Sequence, residues 1–337
     1  MPSAFITGLA GPTLLDAERM FLAATQPAGI ILFARNCQTP DQIRALVDAA
    51  RTAIGTNDAL VLIDQEGGRV QRLRPPLGRA LPPAASFGAL YAGSPDEACR
   101  LAFLASRQTA EDLRALGINT NCAPVLDVPV AGSHDVIGNR AYGSTVEQIV
   151  ALGDAVAKGL MAGGVLPVIK HIPGHGRATA DSHHALPVVD TPRTVLAESD
   201  FAPFRALAHL PAAMTAHVLF TAIDPDQPAS TSATIIDGVI RRDIGFDGLL
   251  MSDDVSMKAL SGSVGESSTA VLAAGCDLVL HCNGVIAEME QVAAACPALK
   301  GIALERLTKV LAILQQVEPF EQQLAEAAIA RVLSVTA

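Results

Sequence analysis

The chain has 337 residues, of which 50% are hydrophobic and 17% are charged, and its formal net charge is -10. Such an acidic chain argues against nucleic acid or an anionic membrane as a partner, because both bind positively charged surfaces. No apolar run reaches the roughly 18 residues that a membrane-spanning helix needs, so no span is predicted.

The cysteines and the first residues of the chain indicate its compartment. Cysteines stand at positions 37, 99, 122, 276, 282 and 296, without a CxxC pair. This spacing does not resemble a disulfide framework, and it favours a reducing compartment. No basic residue precedes Arg19, whereas a secretory signal begins with positive charge. We therefore expect a cytoplasmic protein.

Eight short apolar runs alternate with longer helical patterns. The runs are Phe5–Leu9, Gly29–Phe33, Leu60–Asp64, Asn119–Ala123, Leu166–His171, Ala212–His217, Gly248–Asp253 and Leu278–His281. Most are continuously apolar, as in parallel strands that are covered on both faces. Helical patterns between them include Thr39–Ile54, Pro95–Leu116, Thr145–Ala162 and Thr194–His209. Eight strands alternating with helices predict an α/β fold, the (β/α)8 TIM barrel.

The C-terminal region continues with helical spacing. Leu304, Leu307, Leu311 and Leu314 share one helical face, and a further helix is predicted over Ala325–Leu333. These extra helices should pack on the outside of the barrel. Since no linker, repeat or low-complexity stretch interrupts the chain, we expect one catalytic domain over residues 1–337.

Five predicted strands end in ionisable residues. These residues are Asp64, Lys170, His171, His217, Asp253 and His281. In α/β barrels the carboxyl ends of the strands meet at one mouth, where catalysis takes place. A charged residue at one strand end can be a mere solvent contact, but five such ends together favour a functional site.

The segment after the fifth strand is the richest in chemistry. Lys170-His171-Ile172-Pro173-Gly174-His175-Gly176 is followed by Asp181-Ser182-His183-His184, so that four of the eight histidines fall between 171 and 184. Because Pro173 and Gly174 disfavour a helix, the spacing of four between His171 and His175 does not place both on one metal. The pattern indicates a catalytic or binding loop, and no metal site is predicted.

Two acidic positions allow catalytic interpretations. A carboxylate such as Asp253 at a barrel mouth can be a nucleophile, a general base or a metal ligand. Its neighbours Ser252 and Asp254 could simply cap a helix over 255–260.

His183 suits proton transfer, since histidine titrates near pH ~6.5, and Asp181 could orient its ring. A histidine on a surface loop would give the same pattern.

Two arginines are further candidates for binding a polar ligand. The third strand runs into Asp64-Gln65-Glu66-Gly67-Gly68-Arg69-Val70-Gln71-Arg72, where the glycines let the backbone turn between charged side chains. Arg140 is an isolated cation in Ile137-Gly138-Asn139-Arg140-Ala141-Tyr142. Either arginine could instead form a surface ion pair.

Together these motifs resemble glycoside hydrolase family three, specifically its small bacterial single-barrel β-N-acetylglucosaminidases. The matching pieces are DQEGGRVQR (64–72), APVLDV (123–128), IGNRAY (137–142), KHIPGHGRATADSH (170–183), AMTAH (213–217), GFDGLLMSDDVSM (245–257) and AGCDLVL (274–280). They occur in the order that the family shows. The pattern K-H-x-P-G-H-G-x(4)-D-S-H is the most specific piece.

The resemblance implies a role for each candidate. Asp253 would be the nucleophile that forms a covalent glycosyl-enzyme intermediate, and His183 would be the general acid/base, assisted by Asp181. The sugar would be held by Asp64, Arg72, Arg140, Lys170 and His171. The reaction would be retaining hydrolysis of terminal β-linked N-acetylglucosamine, without metal or cofactor. The implied substrates are muropeptides in which that sugar is joined to anhydro-N-acetylmuramic acid, as in bacterial peptidoglycan recycling.

Three alternatives remain open at this stage. A relative within the family could act as a β-glucosidase, or as a phosphorylase, because a histidine acid/base leaves room for phosphate. A metal-dependent amidohydrolase would use histidines and Asp253 as ligands, but Phe5–Leu9 lacks the His-x-His pair typical of such enzymes. A non-enzymatic sugar-binding protein is the third. With no Trp and two Tyr, the site is expected to hold sugar mainly by hydrogen bonds.

Overall fold

Eight parallel strands close into a barrel in the computed structural model, which describes residues 1–178, 180–182 and 184–334. The strands are β1 (Ser3–Gly8), β2 (Pro27–Leu32), β3 (Leu60–Ile63), β4 (Thr120–Asn121), β5 (Leu166–Ile172), β6 (Ala212–Thr215), β7 (Leu249–Asp254) and β8 (Leu278–His281). Each strand pairs with its neighbour in the chain, and β8 pairs with β1. The predicted (β/α)8 barrel is confirmed.

Helices surround this barrel. They are α1 (Asp16–Thr25), α2 (Pro40–Ile54), α3 (Ala84–Tyr91), α4 (Pro95–Arg114), α5 (Val146–Ala162), α6 (Arg193–Glu198), α7 (Ala202–Ala206), α8 (Val264–Ala274), α9 (Ile286–Ala295), α10 (Gly301–Ile313) and α11 (Gln322–Ser334). A π-helical segment covers Thr234–Asp243, and 3-10 turns cover Ala34–Asn36, Gly138–Arg140 and Ala229–Thr231. None of the described helices combines the length and the apolar character that crossing a bilayer requires.

The expected helix over Thr194–His209 is divided into α6 and α7. Pro203 lies in the first turn of α7, where its missing N–H costs no hydrogen bond. In the middle of one continuous helix it would break the hydrogen-bond ladder. Between the two helices the carboxylate of Asp200 accepts a hydrogen bond of 2.7 Å from Arg177 Nε.

Burial on both faces explains why the strands read as continuous apolar runs. All four residues of β3 and all four of β6 are buried. On the outside, α10 buries Leu307 and Val310, while Leu304, Leu311 and Leu314 pack partly buried against the same core. The C-terminal helices therefore cover the barrel as expected, with α10 against β7 and α11 against α4.

A hairpin follows β3 at the barrel mouth and returns Arg72 towards the end of that strand. Gln65–Gly67 pairs antiparallel with Val70–Gln71. Gly67 and Gly68 have φ values of 106° and 54°, in the left-handed region that favours glycine. A Cβ on Gly68 would lie 2.7 Å from the Cβ of Pro83, so the turn has no space for a larger residue.

Candidate active site

A cavity of about 340 Å³ opens where the barrel strands end at their carboxyl termini. Six of the eight predicted site residues line it, namely Asp64, Arg72, Arg140, Lys170, His171 and Asp253. These residues come from the ends of β3, β5 and β7 and from the loops after β3 and β4. The structure thus brings together side chains that are up to 189 positions apart, from 64 to 253, in the sequence.

Five of the charged side chains form one alternating network of cations and carboxylates. Lys170 Nζ lies 2.8 Å from Asp64 Oδ1 and 2.7 Å from Glu66 Oε1. Arg72 donates to the other oxygen of Asp64 at 2.8 Å. Arg140 donates to both oxygens of Glu66, each at 2.8 Å. Each group is therefore fixed in direction before any ligand binds.

These contacts keep the network ionised although it is largely buried. Burial raises the pKa of Asp64, but Lys170 and Arg72 outweigh it and hold the pKa well below its ordinary value. Burial likewise opposes the charge of Lys170, yet Asp64 and Glu66 raise its pKa above the usual range. At neutral pH the pocket consequently presents ionised donors and acceptors, which suit the hydroxyl groups of a sugar.

Glu66 is a functional residue that the sequence interpretation missed. Its side chain is 6% exposed, and it lies in contact with both Lys170 and Arg140. A signal was available, because Asp64 and Glu66 are two positions apart and side chains with that spacing lie on the same side of an extended chain. Its partners could not be read from the sequence, since Arg140 is 74 positions away.

Asp127 is the second residue that the sequence left without a role. It is fully buried, and its Oδ2 lies 2.7 Å from His171 Nδ1. Its Oδ1 accepts the backbone N–H groups of His171 at 3.2 Å and His175 at 2.7 Å. Burial raises the pKa of Asp127, but His171 and His175 lower it below the ordinary value. Because an ionised carboxylate only accepts, Nδ1 of His171 carries the hydrogen.

His175 also lines the cavity, although no role was predicted for it. Its ring centroid lies 5.6 Å from that of His171. Burial and the neighbouring His171 lower the pKa of His175 to about 4. Its Nδ1 is buried without a hydrogen-bond partner among the residues that the structure describes. The ring is therefore neutral at physiological pH.

Asp253 lies near the end of β7, next to an irregularity in the pairing with β8. Its Oδ1 accepts the backbone N–H of Asp254 at 2.8 Å. Asp254 itself accepts from the backbone of Ser256 at 3.0 Å and of Cys282 at 3.1 Å. The expected helix over 255–260 is wrong, since these described residues form turns. Asp254 stabilises a turn there instead of capping a helix.

The surroundings of Asp253 favour its ionised form. Burial raises the pKa of this carboxyl group. The imidazoles of His217 and His171, the N–H of Asp254 and the ammonium of Lys170 together lower it below the ordinary value. Asp253 is therefore a carboxylate at neutral pH, and one of its oxygens is held in place by the main chain.

His217 holds the loop that follows Asp253 in place through its imidazole ring. It is fully buried, with Nε2 3.0 Å from the carbonyl of Asp254 and Nδ1 2.7 Å from Ser230 Oγ. Burial lowers the pKa of His217, so the ring is neutral. A carbonyl only accepts, hence Nε2 carries the hydrogen, while Ser230 Oγ also donates to the carbonyl of Ala216 at 2.9 Å.

His281 does not join the mouth as its strand-end position led us to expect. Leu280 lines the cavity, and the alternation of the strand turns the next side chain away from it. The buried ring of His281 lies 3.4 Å from Glu288 Oε2 on α9. This part of the expectation is wrong, because the register of β8 decides which face its last residue occupies.

The remaining two predicted catalytic residues lie in the segment after β5. Asp181 is partly buried, and its carbonyl accepts the N–H groups of His184 at 2.9 Å and Ala185 at 3.1 Å. Ser182, next to it, lines the cavity. His183 lies outside the described residues, so its role as acid/base stays a prediction.

Known proteins share both the sequence pattern and the fold. The family model described as the glycosyl hydrolase family 3 N terminal domain matches residues 9–333. The β-hexosaminidase of Alkalilimnicola ehrlichii is 41% identical over 280 residues, which cover 82% of this chain and 79% of the relative. The β-hexosaminidase of Bordetella parapertussis is 40% identical over 286 residues, or 84% and 80% of the two chains.

Solved structures of similar sequence also share the fold of this chain. NagZ from Neisseria gonorrhoeae, in complex with N-trifluoroacetyl-D-glucosamine, superposes with a TM-score of 0.88 at 32% identity, over 99% of this chain and 98% of that one. A family 3 β-N-acetylglucosaminidase from Paenibacillus sp. gives 0.80 at 33% identity, over 99% and 60%. The predicted class of enzyme, a glycosidase of the β-hexosaminidase type, is confirmed. The chain belongs to glycosyl hydrolase family 3.

Proposed function

We propose that the chain removes terminal β-linked N-acetylglucosamine by retaining hydrolysis, with Asp253 as the nucleophile. One observation carries this proposal. The ionised carboxylate of Asp253 lines the same cavity as the hydrogen-bonding network of Lys170, Asp64 and Arg140. A sugar ring held by that network has its anomeric carbon within the cavity that contains the nucleophile.

The reaction takes place in two displacements. Asp253 forms a bond to the anomeric carbon while the glycosidic bond breaks, and the leaving oxygen takes a proton from His183. Water then gives its proton to His183, attacks the same carbon and releases the carboxylate. Since Oδ1 of Asp253 is held by the N–H of Asp254, Oδ2 is the attacking atom. The role of His183, with Asp181 assisting, rests on the sequence motif.

The sugar is held by Asp64, Arg72, Arg140, Lys170 and His171. Carboxylate oxygens of this set accept from sugar hydroxyls, and the ammonium and guanidinium groups donate to hydroxyl and amide oxygens. The cavity of about 340 Å³ is at the small end of ligand pockets. That size supports one terminal sugar in a pocket and not a long polysaccharide in a groove.

The substrates in this proposal are muropeptides in which N-acetylglucosamine is joined to anhydro-N-acetylmuramic acid, and the process is peptidoglycan recycling in the cytoplasm. Two observations support it. A similar bacterial structure holds an N-acylated glucosamine. The six cysteines are all free, as in proteins of a reducing compartment. We propose residues 1–337 as a single catalytic domain, supported by a C-terminal region that packs on the barrel core.

Trapping the glycosyl-enzyme tests the mechanism. An N-acetylglucosaminyl fluoride with a second fluorine on ring carbon 5 slows the second displacement and accumulates the ester. Mass spectrometry of the digested protein should find the label on Asp253. A label on Asp254, or on no carboxylate while the reagent is turned over, refutes the nucleophile assignment.

Product analysis tests the substrate and the acceptor. With N-acetylglucosaminyl-anhydro-N-acetylmuramic acid in phosphate buffer, the expected product is free N-acetylglucosamine. The 1-phosphate of that sugar would identify a phosphorylase. Turnover of aryl β-glucosides at the same rate as aryl β-N-acetylglucosaminides would identify a β-glucosidase.

A further inference from the structure

Arg35 differs from the other cations of the cavity. Arg72, Arg140 and Lys170 each form a salt bridge with Asp64 or Glu66. Arg35 also lines the cavity, but its hydrogen bonds to the described residues go to carbonyl groups and not to a carboxylate. The carboxylates of Asp254 and Glu18 act on its charge without a direct ion pair, so its remaining N–H groups can bind a ligand.

The guanidinium of Arg35 is nevertheless held in place. Its Nε donates to the carbonyl of Leu9 at 2.8 Å, and its Nη2 donates to the carbonyl of Cys282. Nη1 makes no hydrogen bond to any residue in the described part of the chain. Three of the five N–H donors therefore remain, two of them on Nη1, on a group whose orientation is already fixed, so binding an anion there costs little ordering.

Arg35 lies on the side of the barrel opposite Lys170, while Arg72 of the sugar-binding network approaches the same Phe33 ring as Arg35. Leu9 follows β1 and Cys282 follows β8, whereas Lys170 belongs to β5. In the closed order of eight strands, the β8–β1 edge is across the ring from β4 and β5. Asp253 stands on β7, near Arg35, because its neighbour Asp254 accepts from the N–H of Cys282.

Phe33 adds an apolar face to this side. The Cζ atoms of Arg35 and Arg72 lie 4.8 Å and 5.0 Å from the centroid of its ring. It is partly exposed, and among the described residues it is the one phenylalanine, tyrosine or tryptophan that lines the cavity. Because two guanidinium groups lie over this ring, a second ring that leaves the cavity on this side contacts the exposed part of Phe33, next to the free donors of Arg35.

We propose that Arg35 and Phe33 form a subsite for the leaving group and that this subsite selects leaving groups with a carboxylate. The inference rests on the proposed glycosidase function and deepens it. Arg35 binds the carboxylate through Nη1, while Phe33 contacts the ring that carries it. The enzyme thus prefers anionic over neutral leaving groups of equal size.

The test compares two aryl β-N-acetylglucosaminides. One leaving group is 4-(carboxymethyl)phenol and the other is 4-(carbamoylmethyl)phenol, in which a methylene separates the charge difference from the reacting oxygen. The measured quantity is the ratio of kcat/KM for the acid to kcat/KM for the amide. Wild type should favour the acid by about tenfold, the size expected for one charge-assisted hydrogen bond.

Arg35→Gln should bring that ratio close to one, whereas Arg35→Lys should keep part of the preference. Arg19→Gln is the matched control, since Arg19 is an exposed arginine outside the cavity, and it should leave the ratio at the wild-type value. An unchanged ratio in Arg35→Gln overturns the proposal.

Salt dependence gives a second measurement on the wild-type protein, which holds even if Arg35→Gln does not fold. Raising NaCl from 0.05 M to 1 M should reduce the preference for the acid, because screening weakens an exposed charge pair. A ratio that is independent of salt overturns the proposal. If wild type hydrolyses neither compound, the glycosidase function itself fails; if it hydrolyses both equally, only the subsite fails.

Discussion

Glu66→Gln should damage both stability and activity, although Glu66 is only a positioning residue. The side chain is 6% exposed and accepts from Lys170 at 2.7 Å and twice from Arg140 at 2.8 Å. The substitution keeps the shape but removes the charge, and it points an amide N–H₂ at groups that only donate. Removing one partner of a buried ion pair costs about 3 to 5 kcal/mol. We therefore expect the free energy of unfolding to fall by about 3 kcal/mol, measured by urea denaturation.

The same change should reduce kcat/KM by about 100-fold, because Lys170 and Arg140 lose the acceptor that directs them. A factor of 100 corresponds to about 2.7 kcal/mol of transition-state stabilisation. Glu326→Gln is the matched control, since Glu326 pairs with Arg79 at 3.0 Å on the outside of the protein. It should change neither measurement. Wild-type stability and activity in Glu66→Gln would refute the idea that this carboxylate organises the site.

Three further predictions concern the buried histidines and their partners. The pKa of His175 is lowered from 6.5 to about 4, so the unfolded chain binds its proton first and stability is lost as pH falls from 6.5 to 4. At about 1.36 kcal/mol for each pH unit, the loss approaches about 3 kcal/mol, and His175→Asn should flatten this part of a urea-based stability profile. Ser230→Ala removes the hydrogen-bond partner of His217 Nδ1 and should lower kcat about tenfold at similar KM, whereas Ser230→Thr should restore it. Asp127→Asn removes the carboxylate that keeps the hydrogen of His171 on Nδ1, and it should lower kcat/KM by about 10- to 100-fold. Unchanged kinetics would contradict the role of Asp127 in orienting His171.

The barrel could be predicted because its strands are buried on both faces and so read as apolar runs. The identity of the residue that closes each run, such as Asp253 or Lys170, also follows from the sequence. The direction of that last side chain does not. His281 ends its apolar run as Asp253 ends another, and Asp253 lines the cavity whereas the register of β8 turns His281 towards α9.

The supporting residues were harder to predict, for a physical reason. Asp127 and Glu66 are carboxylates in buried positions, and such groups require partners. That requirement can be recognised in the sequence, for Asp127 from the apolar residues on both sides. The identity of the partner depends on contacts across the barrel mouth, such as Glu66 with Arg140, and these exist only in the folded chain. The break before α7 was readable, since Pro203 stands where a continuous helix could not tolerate it.

The alternating network has a consequence for the turnover cycle. Three cations and two carboxylates leave it with one positive charge, which the carboxylate of Asp253 balances. In the proposed mechanism Asp253 becomes an ester, so that balance disappears and the electrostatic potential of the cavity rises. A more positive potential disfavours a protonated imidazole, so in the proposed mechanism it favours the change of His183 from acid in the first displacement to base in the second. On this proposal, the esterification of Asp253 prepares the acid/base for the water that hydrolyses the ester.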